Sequence, residues 1–190
     1  MLKTLTGRIN KDLKESQINW KVALSFIPIA FFTYLFHEFG HWVVGEILGN
    51  DMTLSLNSSN ARTGVLIKEA HNLYISIGGP AFTILQALIF LLITKHKKSV
   101  YTYSVTFFAV FSRFFSIVLG GFSQQDEARI SLMLNVNKYL IATIVLSILL
   151  LIIWKCNRIM KLNFKAVGYF ITLSTLVILL VIVVINLIDK

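Results

Sequence analysis

Residues 20 to 48 read WKVALSFIPIAFFTYLFHEFGHWVVGEIL, and in these 29 residues the only Asp, Glu, Lys or Arg side chains are Lys21, Glu38 and Glu46. At 1.5 Å per residue such a helix is about 44 Å long, more than a hydrocarbon core of about 30 Å requires. The stretch is expected to cross a membrane and to tilt, kink at Pro28 or emerge at one end.

Further apolar stretches lie at about 73–94, 100–120, 137–154 and 166–188, each near the length of one span. The expected fold is therefore an all-α polytopic membrane protein of five transmembrane helices, forming a single integral membrane domain over residues 20–190. Composition agrees: of 190 residues 56% are hydrophobic and 14% charged, which excludes an ordinary soluble domain. Lys and Arg number 18 against 9 Asp and Glu. In so apolar a chain the excess reads as loop anchors facing an anionic lipid bilayer, and no nucleic-acid partner is implied. The lone Cys156 excludes a disulfide framework and a thiolate zinc finger.

Residues 1–19 place Leu2, Leu5, Ile9 and Leu13 at helical spacing with Lys3, Arg8, Lys11 and Lys14 mostly elsewhere, as in a basic amphipathic helix lying on a membrane surface. No short apolar core with a small-residue cleavage site precedes residue 20, so the first span is expected to serve as its own insertion signal. With the N-terminus inside, twelve basic residues fall on the inner segments: Lys3, Arg8, Lys11, Lys14, Lys21, Lys95, Lys97, Lys98, Lys155, Arg158, Lys161 and Lys165. Only Arg62, Lys68, Arg129, Lys138 and Lys190 fall outside, which favours this orientation. Arg113 lies within the third span and must face protein or water; the two placements open to it are a pair with Glu46 and a position near the water entry.

Two connections are more than turns. Met52, Leu54 and Leu56 alternate with Thr53, Ser55 and Asn57, then come Ser58, Ser59 and Asn60 and a second run from Thr63 to Ile67, the pattern of a small β-hairpin between the first and second spans. After Gly120 and Gly121, Ser123 to Asp126 resembles a helix start with Ser123 as its cap. In the second span Ser76, Gly78, Gly79 and Ala81 give a face of small side chains on which another helix can approach closely.

Chemistry enters with His37-Glu38-Phe39-Gly40-His41. Histidines at i and i+4 share one face of a helix and can reach one zinc ion, while Glu38 beside them can take a proton from an activated water. His, Glu and His at bilayer depth carry an insertion cost of a few kcal/mol that ordinary packing does not require. A catalytic zinc needs a third protein ligand at the same depth. Glu46 is on the opposite face of the same helix, Glu69 and His71 precede the second span, and His96 belongs to the basic Lys95–Lys98 cluster. The first and third spans run the same way, so the end carrying His37–His41 meets the end leading to Asp126 and Glu127. Asp126 is the expected third ligand, with Glu127 as the alternative.

These elements in order resemble the site-2 protease-like intramembrane zinc metalloproteases: the His37–His41 motif in an early span, Gly79-Pro80 in the next, and an aspartate about 85 residues after the second histidine, over roughly residues 20–135. The resemblance implies hydrolysis of peptide bonds in membrane-embedded protein or peptide substrates, with one zinc on His37, His41 and Asp126 and with Glu38 as general base. It implies substrate contacts at Gly79 and Thr83, the latter standing where the family usually has a carbonyl-holding Asn. Asp126 follows Gln124-Gln125 instead of sitting in an Asp-Gly pair, and the chain has no room for a PDZ or CBS module. The edge of the strand from Met52 to Asn57, with Thr53 and Ser55, is expected to hold an extended substrate by β-augmentation. The family's site often lies nearer the cytoplasmic face, whereas the basic residues put this one nearer the outside unless the first segment is re-entrant around Pro28. The alternative function is a non-catalytic, protease-like protein that binds membrane segments. The composition, rich in Ile, Lys and Asn, fits a multi-pass protein of a bacterial inner or plasma membrane.

Overall fold

A computed structural model describes residues 18–188 together with Gly7, Asp12, Leu13 and Ser16. The amphipathic helix expected over 1–19 lies almost wholly outside the described residues. The chain is a polytopic helical membrane protein. Five helices are long and apolar enough to cross a bilayer: α1 (Trp20–Ile47), α2 (His71–Lys97), α3 (Val100–Leu119), α5 (Leu140–Met160) and α6 (Phe164–Ile188). A short α4 (Asp126–Met133) follows a 3-10 turn at Phe122–Gln124. A two-stranded antiparallel sheet, β1 (Met52–Leu54) and β2 (Ser59–Ala61), lies between α1 and α2.

Local chemistry sets these bounds. The Asn19 side chain caps α1 by accepting from the Val22 amide at 3.0 Å. Gly49, at φ +84°, turns the chain out of it. The helix runs unbroken through Pro28, so the first segment is not re-entrant. Ser99 caps α3 directly after Lys98, the C-cap of α2, and this short connection makes the two helices antiparallel neighbours. Asn163 caps α6 through the Ala166 amide at 2.8 Å.

α3 is the central span, touching α1, α2, α5 and α6. Its Tyr103, Phe107 and Phe108 join Phe26 of α1, Leu149 and Ile152 of α5 and Phe170 and Ile178 of α6 in one buried core. Outward-facing Leu24, Leu92, Leu151 and Leu180 are exposed, as lipid contact requires. The chain alternation gathers Lys95, Lys97, Lys98, Arg158, Lys161 and Lys165 at one end of the bundle and the His37–His41 end of α1 at the other.

Three local expectations are corrected. The second strand is Ser59–Ala61 and not Thr63–Ile67, because Ser55 closes a tight turn onto Ser58 through its backbone and hydroxyl, and Gly64 at φ +75° then bends the chain away. Ser123 does not cap a helix: it lies in the 3-10 turn, and α4 starts at Asp126 behind an extended Gln125. Ala81 is exposed, so the close-packing face of α2 is Ser76, Gly78, Gly79 and Pro80.

That face meets Gly40 of α1. A methyl group at Gly40 would collide with the Gly78 carbonyl, and one at Gly78 with the Gly40 carbonyl. Gly40→Val is therefore expected to destabilise the protein by about 1–3 kcal/mol through overpacking. Gly168→Ala, with nothing within 4 Å of the new methyl, is expected to be neutral or slightly stabilising. Thermal unfolding of the two variants in detergent compares them.

Candidate metal centre

His37 and His41 occupy successive turns of α1, ten and six residues before its end, which puts them about 15 and 9 Å inside the helix terminus. Each ring is fixed by the facing α2. His41 Nδ1 lies 2.7 Å from the Ile75 carbonyl oxygen, which can only accept, so this nitrogen carries the proton and donates. The Gly79 amide lies 3.3 Å from the same nitrogen and is the longer contact. His37 Nδ1 lies 2.9 Å from Thr83 Oγ1, whose own proton is directed to the Gly79 carbonyl at 3.2 Å. The hydroxyl thus accepts from His37. Both histidines spend Nδ1–H on α2 and present Nε2 to the interior of the site.

The two Nε2 atoms are 3.3 Å apart, and Asp126 Oδ2 lies 3.2 Å from that of His37 and 3.5 Å from that of His41. Three lone-pair atoms in mutual contact repel one another unless a cation sits among them. A proton on one nitrogen relieves one contact; a metal ion relieves all three. The spacings match the edge of a tetrahedron around an ion with ligands at 2.0–2.1 Å, about 3.3 Å. The residues present therefore fit a four-coordinate ion with one position left open. Glu38 offers a carboxylate oxygen within 4.8 Å of the histidine nitrogens, farther out than Asp126, and has no hydrogen bond or ion pair among the described residues.

Asp126 opens α4, where the helix dipole favours its charge. Burial alone would raise its pKa, but the contacts with His37 and His41 and the charge of Arg113 prevail and hold its carboxyl well below the usual carboxylate range. Glu127, the other carboxylate expected there, is turned away and bound to Arg113. Arg113 thus pairs with Glu127 and Asp126, not with Glu46, which accepts from the Met52 amide and anchors the hairpin. His71 bonds to Asn50, Glu69 is exposed, and exposed His96 is at the far end of α2.

A cleft of about 440 Å3 opens on the site, lined by Tyr34, His37, Glu38, His41, Ile75, Arg113, Ser116 and Asp126, with Asn57–Asn60 on one wall and Gln124, Gln125 and Arg129 on another. The four residues expected to hold substrate do not line it. Thr83 is buried against His37, and Gly79 lies under the imidazoles, where a methyl would come within 2.6 Å of His37 Nε2. Thr53 and Ser55 bond across the hairpin to Asn60 and Ser58. The Asn57–Asn60 wall was not anticipated, although its run of small polar residues marked it as the turn. The Thr83–His37 contact had a signal in the i, i+4 spacing of Gly79 and Thr83.

No protein-family model, curated protein or solved structure matches the chain.

Thr83→Val keeps the volume and removes the acceptor of His37. It is expected to weaken zinc binding about 10–100-fold, whereas Thr83→Ser retains it. Competition against a zinc chelator measures both.

Proposed function

We propose that the protein is an intramembrane zinc metalloprotease of the site-2 protease-like kind, cutting peptide bonds in membrane-embedded protein or peptide substrates. The observation that supports this best is the convergence of His37 Nε2, His41 Nε2 and Asp126 Oδ2 at 3.2–3.5 Å, in a polar cleft beside Glu38, which has no hydrogen bond or ion pair among the described residues. A four-coordinate ion bound only by nitrogen and carboxylate donors, with one open position, is best supplied by zinc.

His37, His41 and Asp126 would hold the ion. Zinc there supplies Lewis acidity, which acidifies water and polarises a carbonyl. Glu38 Oε accepts the proton of the attacking water and returns it to the leaving amine nitrogen, and its freedom from other partners leaves it able to swing between the two tasks. Thr83 and the Ile75 carbonyl keep both histidines in the tautomer that frees Nε2. The Asn57–Asn60 and Gln124–Gln125 walls offer amide and hydroxyl groups that donate and accept, suited to an extended peptide backbone unwound from a helix. On the positive-inside rule, the basic end of the bundle is cytoplasmic and the cleft opens toward the outer face. The location, on the same reading, is a bacterial cell membrane.

One observation favours a second reading, a protein that binds metal and membrane segments without cutting. Thr83, at the position where the family keeps a carbonyl-holding Asn, spends its hydroxyl on His37 and Gly79. Glu38 separates the two. Glu38→Gln is expected to keep zinc and to lower cleavage of a membrane-spanning reporter about 10²–10⁴-fold, and undiminished cleavage would sink the protease reading. His37→Ala and Asp126→Ala are each expected to lose the single zinc, as read by elemental mass spectrometry of detergent-purified protein.

A further inference from the structure

We propose that Arg113 and Glu127 form a positioning clamp that aims Asp126 Oδ2 at the histidines, an inference that rests on the metal-site reading above. Arg113 projects from α3 at 7% exposure, where an unpaired guanidinium is costly. Its Nε donates to Glu127 Oε1 at 2.7 Å and its Nη2 also meets Glu127 Oε2, a two-pronged grip. The same Nη2 donates to Asp126 Oδ2 at 3.1 Å. Glu127 is fully buried and does not line the cleft, so the group it acts on is the guanidinium.

The clamp answers a mechanical need. Asp126 follows the Gly120-Gly121 break, with Gly121 at φ +88°, and opens a helix of only eight residues. Apart from the histidines and Arg113, its ion-pair partner among the described residues is the half-exposed Arg129, at 3.9 Å from the other oxygen, Oδ1. Oδ2 has lone pairs in two directions, and the guanidinium engages one side while the other faces the two Nε2 atoms. Glu127 also removes an electrostatic penalty. A free arginine 3.1 Å from a ligand atom would repel a divalent cation, and its pairing with Glu127 leaves the orientation while cancelling the charge. Lysine lacks the planar fork that bridges two carboxylates.

The test needs no substrate. Wild type, Arg113→Met/Glu127→Met and Glu127→Gln are purified in detergent and titrated with Co2+ and with Zn2+ against a chelator, and the Co2+ visible absorption is recorded. The double variant removes one charge of each sign, so the net charge at the site is unchanged, and replacing a buried ion pair by apolar groups of similar volume is tolerated by folding. The clamp predicts metal affinity about 10–100-fold lower in the double variant, with a Co2+ spectrum altered in position or intensity. Glu127→Gln, which frees the arginine charge, is expected to weaken binding in the same direction. Wild-type affinity and spectrum in the double variant would overturn the clamp and leave the metal site standing. Should that variant not fold, the same wild-type behaviour in Glu127→Gln overturns it. Wild-type protein that takes up no metal overturns both readings together.

Discussion

The site depends on how closely α1 and α2 approach at Gly40 and Gly78. Between helices in lipid no hydrophobic force drives association, so contact rests on packing and on polar groups that find partners across the seam. With glycine on both sides the backbones come near enough for three successive turns of α1 to bond to α2: Thr33 accepts from Gln86 at 2.9 Å, His37 donates to Thr83, and His41 donates to the Ile75 carbonyl. Packing and protonation state are coupled here. If the helices part, both histidines lose the acceptors that hold the proton on Nδ1, and the Nε2 lone pairs are no longer fixed in direction. Gly79 adds a third demand, since a side chain there would occupy the space of the imidazoles themselves.

The second constraint is charge in a medium that solvates it poorly. Arg113, Asp126 and Glu127 stand together at the end of α3 with one positive and two negative charges, and Arg113 and Glu127 cancel. Within this trio Asp126 is left with the unmatched charge; half-exposed Arg129 stands 3.9 Å from its Oδ1, and its Oδ2 is directed at the two Nε2 atoms. Three converging lone pairs, one of them on a carboxylate, are poised for a cation. The same balance explains why the two adjacent carboxylates diverge: Asp126, at the first position of α4, faces α1, while its neighbour on the helix is turned toward α3.

How far the sequence disclosed this follows from the range of each interaction. Length and apolarity, which are local, announced the five spans, and the structure moves their ends by only a few residues, to Lys97 and Met160 for example, because polar and basic residues still extend a helix after the apolar run stops. The i, i+4 histidines were legible for the same reason. Asp126 came within reach because the alternation of spans fixes which ends are neighbours, and the two observed ends do meet. What the sequence did not disclose are contacts set by rotation about the helix axis and by loop geometry. Thr83 was read toward substrate and is turned toward His37. The sequence leaves Arg113 between Glu46 and the water entry; the Glu46 carboxylate is taken by a backbone amide of the hairpin, and Arg113 lines the cleft. The strand register failed because Ser55 and Ser58 close the turn earlier than alternation alone indicated.

The two ends of the bundle are built for different tasks, and the hairpin shows how. At the basic end the polar groups bond to one another across buried seams, as Tyr103 does with Asn157 and Thr94 with Thr102, and α3 is sealed by aromatic packing. At the other end the cleft is lined by polar residues, among them Asn57 to Asn60, Gln124 and Gln125. The base of the hairpin is fixed by three independent ties: Glu46 to the Met52 amide, Asn50 to the Ile67 amide and to His71, and Met52 packed where any side chain on Gly45 would collide. Among the described residues, the hydrogen bonds of its tip run within the turn itself, between Ser55 and Ser58 and from the Asn57 amide to Ser55 Oγ. A wall with an anchored base and a self-supported tip yields at the tip first. That tip, Asn57 to Ser59, lines the cleft together with Gln124 and Gln125, so a self-bonded turn forms part of the cleft wall. The ties at the base join the hairpin to the end of α1 and to the start of α2 through Glu46, Asn50 and His71, independently of the tip.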